Sequence, residues 1–300
     1  MSQSTSIEWT HWPGRVGVSW NPTRGCTRVS EGCRNCYAER IAARFSGKDY
    51  ENQHNPFAGF AEMTPSGSRW TGRVELIPKK LEEPLRWKEP CAVFVDSMSD
   101  LFHEKLSAKD IISVFEVMAA CQQHVFIVLT KRPERIEPVL FGAEGRWYLG
   151  GGDYYPHIIL GTSVEDQATA DLRISVLLNS GWLGPTMVSA EPLLGPVTLE
   201  ASQGLSWVVA GGESGPGARP AHPDWFRTVR DECQAAGVPF FFKQWGEWAP
   251  HTIGSTRNTF RHDFAPHTPT NTLSSVFRVG KTRAGRLLDG REWSEFPRLT

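Results

Sequence analysis

Between residues 90 and 245, short continuously apolar runs alternate with longer segments of helical periodicity. The runs at 92–95, 125–129, 158–161, 186–189, 207–210 and 239–242 are dominated by Val, Ile, Leu and Phe. Parallel strands covered on both faces read this way, without an alternating polar side. Residues 16–20 fit a first strand and 72–77 a weaker one, so about eight strands are expected. Residues 111–121 put Ile111, Val114, Phe115 and Met118 on one helical face. The other expected helical segments are 81–87, 134–140, 167–178 and 224–236. Alternating β and α with right-handed crossovers predicts an α/β fold, a parallel (β/α) barrel, partial or complete. Residues 1–245 are assigned to that barrel and 246–300 to a small C-terminal appendage with a hairpin-like end. Residues 46–71 and 141–156 lack periodicity and read as an insertion or lid and a second loop.

Composition narrows the classes. Hydrophobic residues make up 40% of the 300, enough for a buried core. No apolar run reaches the roughly 18 residues of a membrane span, and the polar start, Met1 to Ser6, lacks the apolar centre of an export signal. A cytoplasmic protein with reduced thiols is therefore expected. Lys and Arg total 32 against 33 Asp and Glu, a net charge of −1, so no global field draws the chain to nucleic acid, although a local patch would suffice. The twelve tryptophans fit core and barrel-rim positions, or a surface on which bases stack.

The densest chemistry lies in one stretch, Cys26-Thr-Arg-Val-Ser-Glu-Gly-Cys33-Arg-Asn-Cys36-Tyr37. Three cysteines spaced C-x6-C-x2-C can supply three thiolates to a 4Fe–4S cluster and leave the fourth iron open to a non-protein ligand. Gly25 and Gly32 each precede a cysteine and permit a close approach of backbone to cluster. Cys36 precedes a helical pattern, whose positive end favours a thiolate. Two other readings stay open: a zinc site with His11 or His54 as fourth ligand, and a disulfide with one odd thiol. Cys91, Cys121 and Cys233 read as small buried apolar residues.

A second signal lies just beyond each strand. The runs lead into Asp96-Ser97-Met-Ser-Asp100 and His103, Thr130-Lys131-Arg132, Thr162-Ser163-Val-Glu165, Ser189-Ala-Glu191, Gly211-Gly212-Glu213-Ser214 and Lys243-Gln244. Sites of parallel barrels gather at strand C-terminal ends. The same residues also cap helices or pair with one another: Ser163 and Ser214 fit caps, Asp100 and Glu165 could pair with Lys131 or Arg132, and His103 fits either a proton donor or the start of a helix.

The loop resembles that of radical S-adenosylmethionine enzymes, which end C-x2-C-aromatic, although here the first gap is six residues rather than three. More widely, Thr5–Thr10, Trp20–Cys26, Asp96–His103, Leu129–Arg135, Ser189–Gly195, Gly211–Pro220, Phe242–Gly246 and the segments around 280 and 290 are similar to the phage Gp37/Gp68-type family, a radical-SAM-like group. The resemblance implies a radical-SAM-like barrel in which Cys26, Cys33 and Cys36 hold a 4Fe–4S cluster. The open iron would bind S-adenosyl-L-methionine, and its cleavage would yield a 5′-deoxyadenosyl radical. Glu75, Ser97, Thr130, Ser163, Glu165, Ser189, Gly211, Gly212 and Glu213 are the candidate cofactor contacts; Gly211-Gly212-Glu213 resembles the element that meets the methionyl amine. Lys131, Glu191 and Lys243 are the candidate catalytic residues. An electron donor such as flavodoxin or ferredoxin is implied. The implied substrate is a base in phage DNA within the host cytoplasm, the reaction an isomerisation such as rearrangement of an amino-acid adduct on thymine, with Lys131, Arg132, Arg219 and the Lys281/Arg283/Arg286 group on phosphates. The rival functions are a non-catalytic, metal-stabilised nucleic-acid-binding module, and a radical enzyme acting on a peptide or small metabolite.

Overall fold

The computed structural model describes residues 4–46, 56–142, 154–199, 204–250, 260–265 and 274–299. The chain has an α/β fold. In chain order its strands are β1 Val16–Trp20, β2 Thr23–Arg24, β3 Ala61–Thr64, β4 Gly67–Trp70, β5 Glu75–Leu76, β6 Cys91–Val95, β7 Val125–Thr130, β8 Ile158–Val164, β9 Thr186–Ala190, β10 Trp207–Gly211, β11 Phe240–Gln244, β12 Trp248–Pro250, β13 Arg261–Asp263, β14 Ser275–Arg278, β15 Leu287–Leu288 and β16 Arg291–Glu292. The helices are α1 Tyr37–Arg44, α2 Pro78–Leu81, α3 Ala108–Ala120, α4 Ile136–Leu140, α5 Gln167–Leu178, α6 Pro223–Ala236 and α7 Lys281–Ala284.

Seven strands form one parallel sheet in the order β1-β6-β7-β8-β9-β10-β11. The order follows the chain and does not return from β11 to β1, which suits a partial parallel barrel. The expected strand at 72–77 is not in this sheet. Only Glu75–Leu76 is extended there, antiparallel to Thr23–Arg24. Arg73 and Glu75 project from one side of it and bind each other at 2.6 Å, a polarity that a strand buried on both faces does not tolerate.

Two compact units divide the chain: residues 1–162 with 176–186 and 299–300, and residues 163–175 with 187–298. In the first, Trp20, Val93, Val95, Phe126, Val128 and Leu160 from the strands pack with Phe102, Phe115 and Met118. Helix α3 begins three residues earlier than the apolar pattern does, because Ser107 and Asp110 close a reciprocal cap. The unpatterned stretch after residue 46 contains a hairpin, β3–β4; residues 47–55, like most of the loop expected at 141–156 (143–153), lie outside the described residues. Cys91, Cys121 and Cys233 are buried, as are Trp9, Trp12, Trp20, Trp207 and Trp245.

In the second unit, β10 is buried at every position and α6 packs Phe226 on Phe242 and Trp245. The edge of β11 is not open. Phe242 N–H donates to Trp293 O and Glu295 N–H to Phe240 O, so the C-terminal segment covers an edge that would otherwise pair with another chain. The hairpin expected near 290 forms as β15–β16 around Asp289-Gly290, both at positive φ (54° and 79°), the turn that two-residue hairpins favour. Arg227 and Arg230 of α6 bind the Asp289 carboxylate.

Candidate metal centre and polar strand ends

The cysteine loop leaves the C-terminal end of β1 and is pinned to the ends of β6 and β7. Asp96, directly after β6, is buried and sits at φ 55°. Its carboxylate accepts the Thr23 N–H at 3.0 Å and the Thr23 hydroxyl at 2.8 Å. Burial pushes its pKa up to about 6 against the pull of those Thr23 bonds. Asn21 Oδ1 accepts from the Ser97 hydroxyl and the Met98 N–H. Gly25 bridges to Ser99 at φ +87°, and a Cβ there would lie 1.9 Å from Arg73 O. Only glycine fits where the backbone turns so close to another segment of chain. Gly32 instead lies in the tight turn Glu31–Cys33.

Arg132 ties the loop to β7. Its guanidinium binds Asp100 at 2.9 Å, Glu104 at 2.8 Å and the Thr27 hydroxyl at 2.7 Å. Asp100 also accepts from the Thr130 hydroxyl at 2.7 Å and the Lys131 N–H at 3.2 Å. His103, fully buried, accepts the Lys105 N–H at Nδ1, so its Nε2 carries the proton that faces Thr27 at 2.9 Å. Burial, with Arg132 beside it, holds the His103 pKa below its ordinary value. The expected role of Arg132 on phosphate is corrected here: the side chain is 5% exposed and bound to carboxylates within the fold.

Cys26, Cys33 and Cys36 are unpaired by disulfide and half-buried. Burial, reinforced by Asp100 and opposed by Arg132, drives the Cys26 pKa far above the usual thiol value, and the other two thiols add to the rise. Cys36 caps α1. Backbone N–H groups of Glu39 and Ala38 favour its thiolate, yet burial outweighs them and the pKa moves up. The helix start alone therefore does not produce a thiolate, and a cationic partner would be needed. Among the described residues no three His, Cys, Asp or Glu side chains converge where a single ion could be held. His11 contacts Thr5 O at 2.8 Å, and His54 lies outside the described residues.

In the second unit the polar strand ends pair differently. Lys243 Nζ binds both Glu191 oxygens at 2.8 and 3.0 Å, with 16% and 19% of the side chains exposed. Gly211 lies against them: a Cβ there would meet the Glu191 carboxylate at 3.4 Å. Ser189 is buried in β9. Gly212 passes so near Trp245 that a Cβ would be 1.9 Å from its carbonyl oxygen. Glu213 receives the Arg219 N–H and guanidinium, the latter at 2.6 Å, so Arg219 is also bound within the fold. Glu165 pairs with Arg173 of α5 at 3.0 Å, both buried. Ser163 lies inside β8 and its carbonyl accepts from Arg173. Glu75 is exposed and bound by Arg73, which lowers its pKa.

The structure thus brings the cysteine loop together with Ser97, Thr130 and the backbone of Lys131, and separately Glu191 with Lys243 and Gly211. Asp96 was among the polar strand ends read from the sequence, but its hold on Thr23 was not; Asn21, Thr27 and Arg173 were missed. Arg173 left a faint signal, a cation two helical turns beyond Glu165. Asn21 and Thr27 left none.

Fold and site define an α/β protein with a thiol-bearing loop at the C-terminal edge of a parallel sheet. The chain belongs to the family described as protein of unknown function DUF5131, which matches residues 4–297. No curated protein and no solved structure matches the chain. Among the described residues no helix is long and apolar enough to cross a membrane.

Proposed function

We propose that the protein is a radical S-adenosylmethionine enzyme acting on a base of nucleic acid, with Cys26, Cys33 and Cys36 as ligands of a 4Fe–4S cluster. The observation that carries the reading is the loop itself. Three thiols free of disulfides lie on eleven residues. Three thiolates and an open iron suit a cluster, whereas a closed structural zinc site takes four protein ligands. Burial keeps the Cys26 and Cys36 thiols protonated until a cationic group replaces the protons.

Cys26, Cys33 and Cys36 would hold the cluster, which, when bound and reduced by a donor such as flavodoxin or ferredoxin, would supply the electron for cleavage of S-adenosylmethionine to methionine and a 5′-deoxyadenosyl radical. The chain's own residues do the rest. The Asp96–Thr23 and Arg132–Thr27 bonds hold the loop against β6 and β7, so the thiols keep their spacing. The Ser97 and Thr130 hydroxyls would first have to release Asn21 and Asp100, and Lys131 is the candidate cation for a carboxylate. In the second unit Glu191 and Lys243 form a half-open pair able to hold or move a proton between carboxylate and amine. Glu165, Ser163, Ser189, Gly211, Gly212, Glu213 and Glu75 stay as candidate cofactor contacts; Glu165, Glu213 and Glu75 would first have to exchange the arginine each already holds. The reaction is read as an isomerisation of a base substituent.

The test is anaerobic. Protein reconstituted with iron and sulfide is given dithionite and S-adenosylmethionine, and 5′-deoxyadenosine is measured with and without single-stranded phage DNA. Product from wild type and none from the Cys26/Cys33/Cys36→Ala variant is expected. One zinc per chain with no iron uptake would overturn the reading.

A further inference from the structure

Beside the cysteine loop lies a cavity of about 680 Å³ between the loop, α1 and the β3–β4 hairpin. Arg28, Arg34, Arg40, Arg44 and Arg69 line it, with Met63, and no carboxylate does. In a chain of net charge −1, that gathering of one sign is a local departure. Like charges crowded around one volume repel, so the arrangement is favourable only with an anion to neutralise it.

The arginines are held ready rather than neutralised. Arg28 alone is firmly paired: its Nε meets both Glu39 oxygens at 3.1 Å. Buried Glu39 also accepts the Trp70 N–H at 2.9 Å, which fixes the hairpin wall to α1. Arg34 reaches the exposed Glu31 only at 3.9 Å. Among the described residues Arg40, Arg44 and Arg69 have no carboxylate partner, and Arg40 Nη1 is buried without a hydrogen-bond acceptor. Five guanidinium groups and no lysine favour a phosphate, whose oxygens match the planar fork.

The neighbouring surface says what carries the phosphates. Tyr37 and Ile41 on α1 and Phe45 just after it succeed one another at four-residue intervals and are 44%, 42% and 42% exposed. Arg40 and Arg44 run beside them on the same helix. A cationic groove next to exposed rings is how proteins hold single strands, with phosphates in the groove and bases stacked on the rings. A duplex hides those base faces. We infer that this arginine pocket and the α1 face bind the sugar–phosphate backbone and bases of single-stranded nucleic acid. Arg34 and Asn35 line the pocket and lie between Cys33 and Cys36, so the strand would pass beside the thiols. The inference rests on the nucleic-acid part of the proposed function and not on its radical chemistry.

The experiment is fluorescence anisotropy of full-length protein with a fluorescein-labelled oligothymidylate over a range of salt concentrations. Four arginines without a firm partner predict a slope of log affinity against log salt of about −3, at about −0.7 per phosphate contact. Arg40→Glu/Arg44→Glu should lower affinity more than about tenfold and flatten the slope by about 1.4. Should that variant misfold, Arg34→Gln/Arg44→Gln, at two exposed positions, should flatten the slope by the same amount. Lys88→Glu/Lys109→Glu, at two exposed positions outside the pocket, should leave binding as in wild type. Salt-insensitive binding, unchanged affinity in the pocket variants, equal loss in the Lys88→Glu/Lys109→Glu variant, equal affinity for the duplex, or displacement by inorganic phosphate as effective as by unlabelled oligomer would each overturn the inference. Binding needs neither iron nor reductant. A failed 5′-deoxyadenosine assay therefore leaves a positive binding result standing, and a failed binding assay leaves the cleavage result standing.

Discussion

The Arg132 network and the Glu191–Lys243 pair occupy the same kind of position, the C-terminal end of a parallel strand, yet they are built for different work. Arg132 is bound by Asp100, Glu104 and Thr27, with 5% of its side chain exposed. Lys243 holds one carboxylate and stays in partial contact with solvent. A buried, fully bonded cation cannot exchange partners without exposing a charge to a low-dielectric interior. A half-open pair can. The difference teaches that a polar residue after a strand marks a site only where its bonds leave it something to do.

Three substitutions test that contrast. Arg132→Met should cause the largest loss of stability, about 3–5 kcal/mol, because buried Asp100 loses its counter-ion; urea denaturation measures it. A loss below about 1 kcal/mol would place Arg132 with the open pairs. Asp96→Asn comes next, through pH. Folding raises the Asp96 pKa from 3.8 to about 6, so the folded state holds the proton more tightly than the unfolded chain. Its contribution to stability is full below pH 3.8 and is lost as pH rises through about 6. That interval corresponds to about 3 kcal/mol. Denaturation at a series of pH values should show a fall between pH 4 and 7 in wild type that is absent from Asp96→Asn; parallel curves would refute the assignment. Lys243→Met should be the smallest in stability, about 1 kcal/mol or less, while lowering turnover in the 5′-deoxyadenosine and product assays about tenfold or more. Equal losses of stability at Arg132 and Lys243 would dissolve the comparison.

Most of the parallel sheet was legible in the apolar runs, because strands buried on both faces have no other composition available. The expected helix 167–178 coincides with α5. The run at 72–77 misled, since Val74, Leu76 and Ile77 look strand-like while Arg73 and Glu75 need solvent. The cysteine spacing and the acids at strand ends were also on view. Their partners were legible only in part: the expected Asp100–Arg132 pair forms, whereas Glu165 is bound by Arg173, to which the sequence did not point. The arginine pocket was hidden for the same reason. Arg28, Arg34, Arg40 and Arg44 are strewn over a loop and a helix, and Arg69 joins them only because the hairpin folds back onto α1.

The sequence by itself determined the order of the seven strands of the parallel sheet, their buried faces and the identity of the three thiols, since burial and periodicity act along the chain. Tertiary structure decided most of the charge pairing and which charges are left facing a cavity. Ion pairing depends on distance through space, and Arg132 and Thr27 are 2.7 Å apart although a hundred residues separate them in the chain.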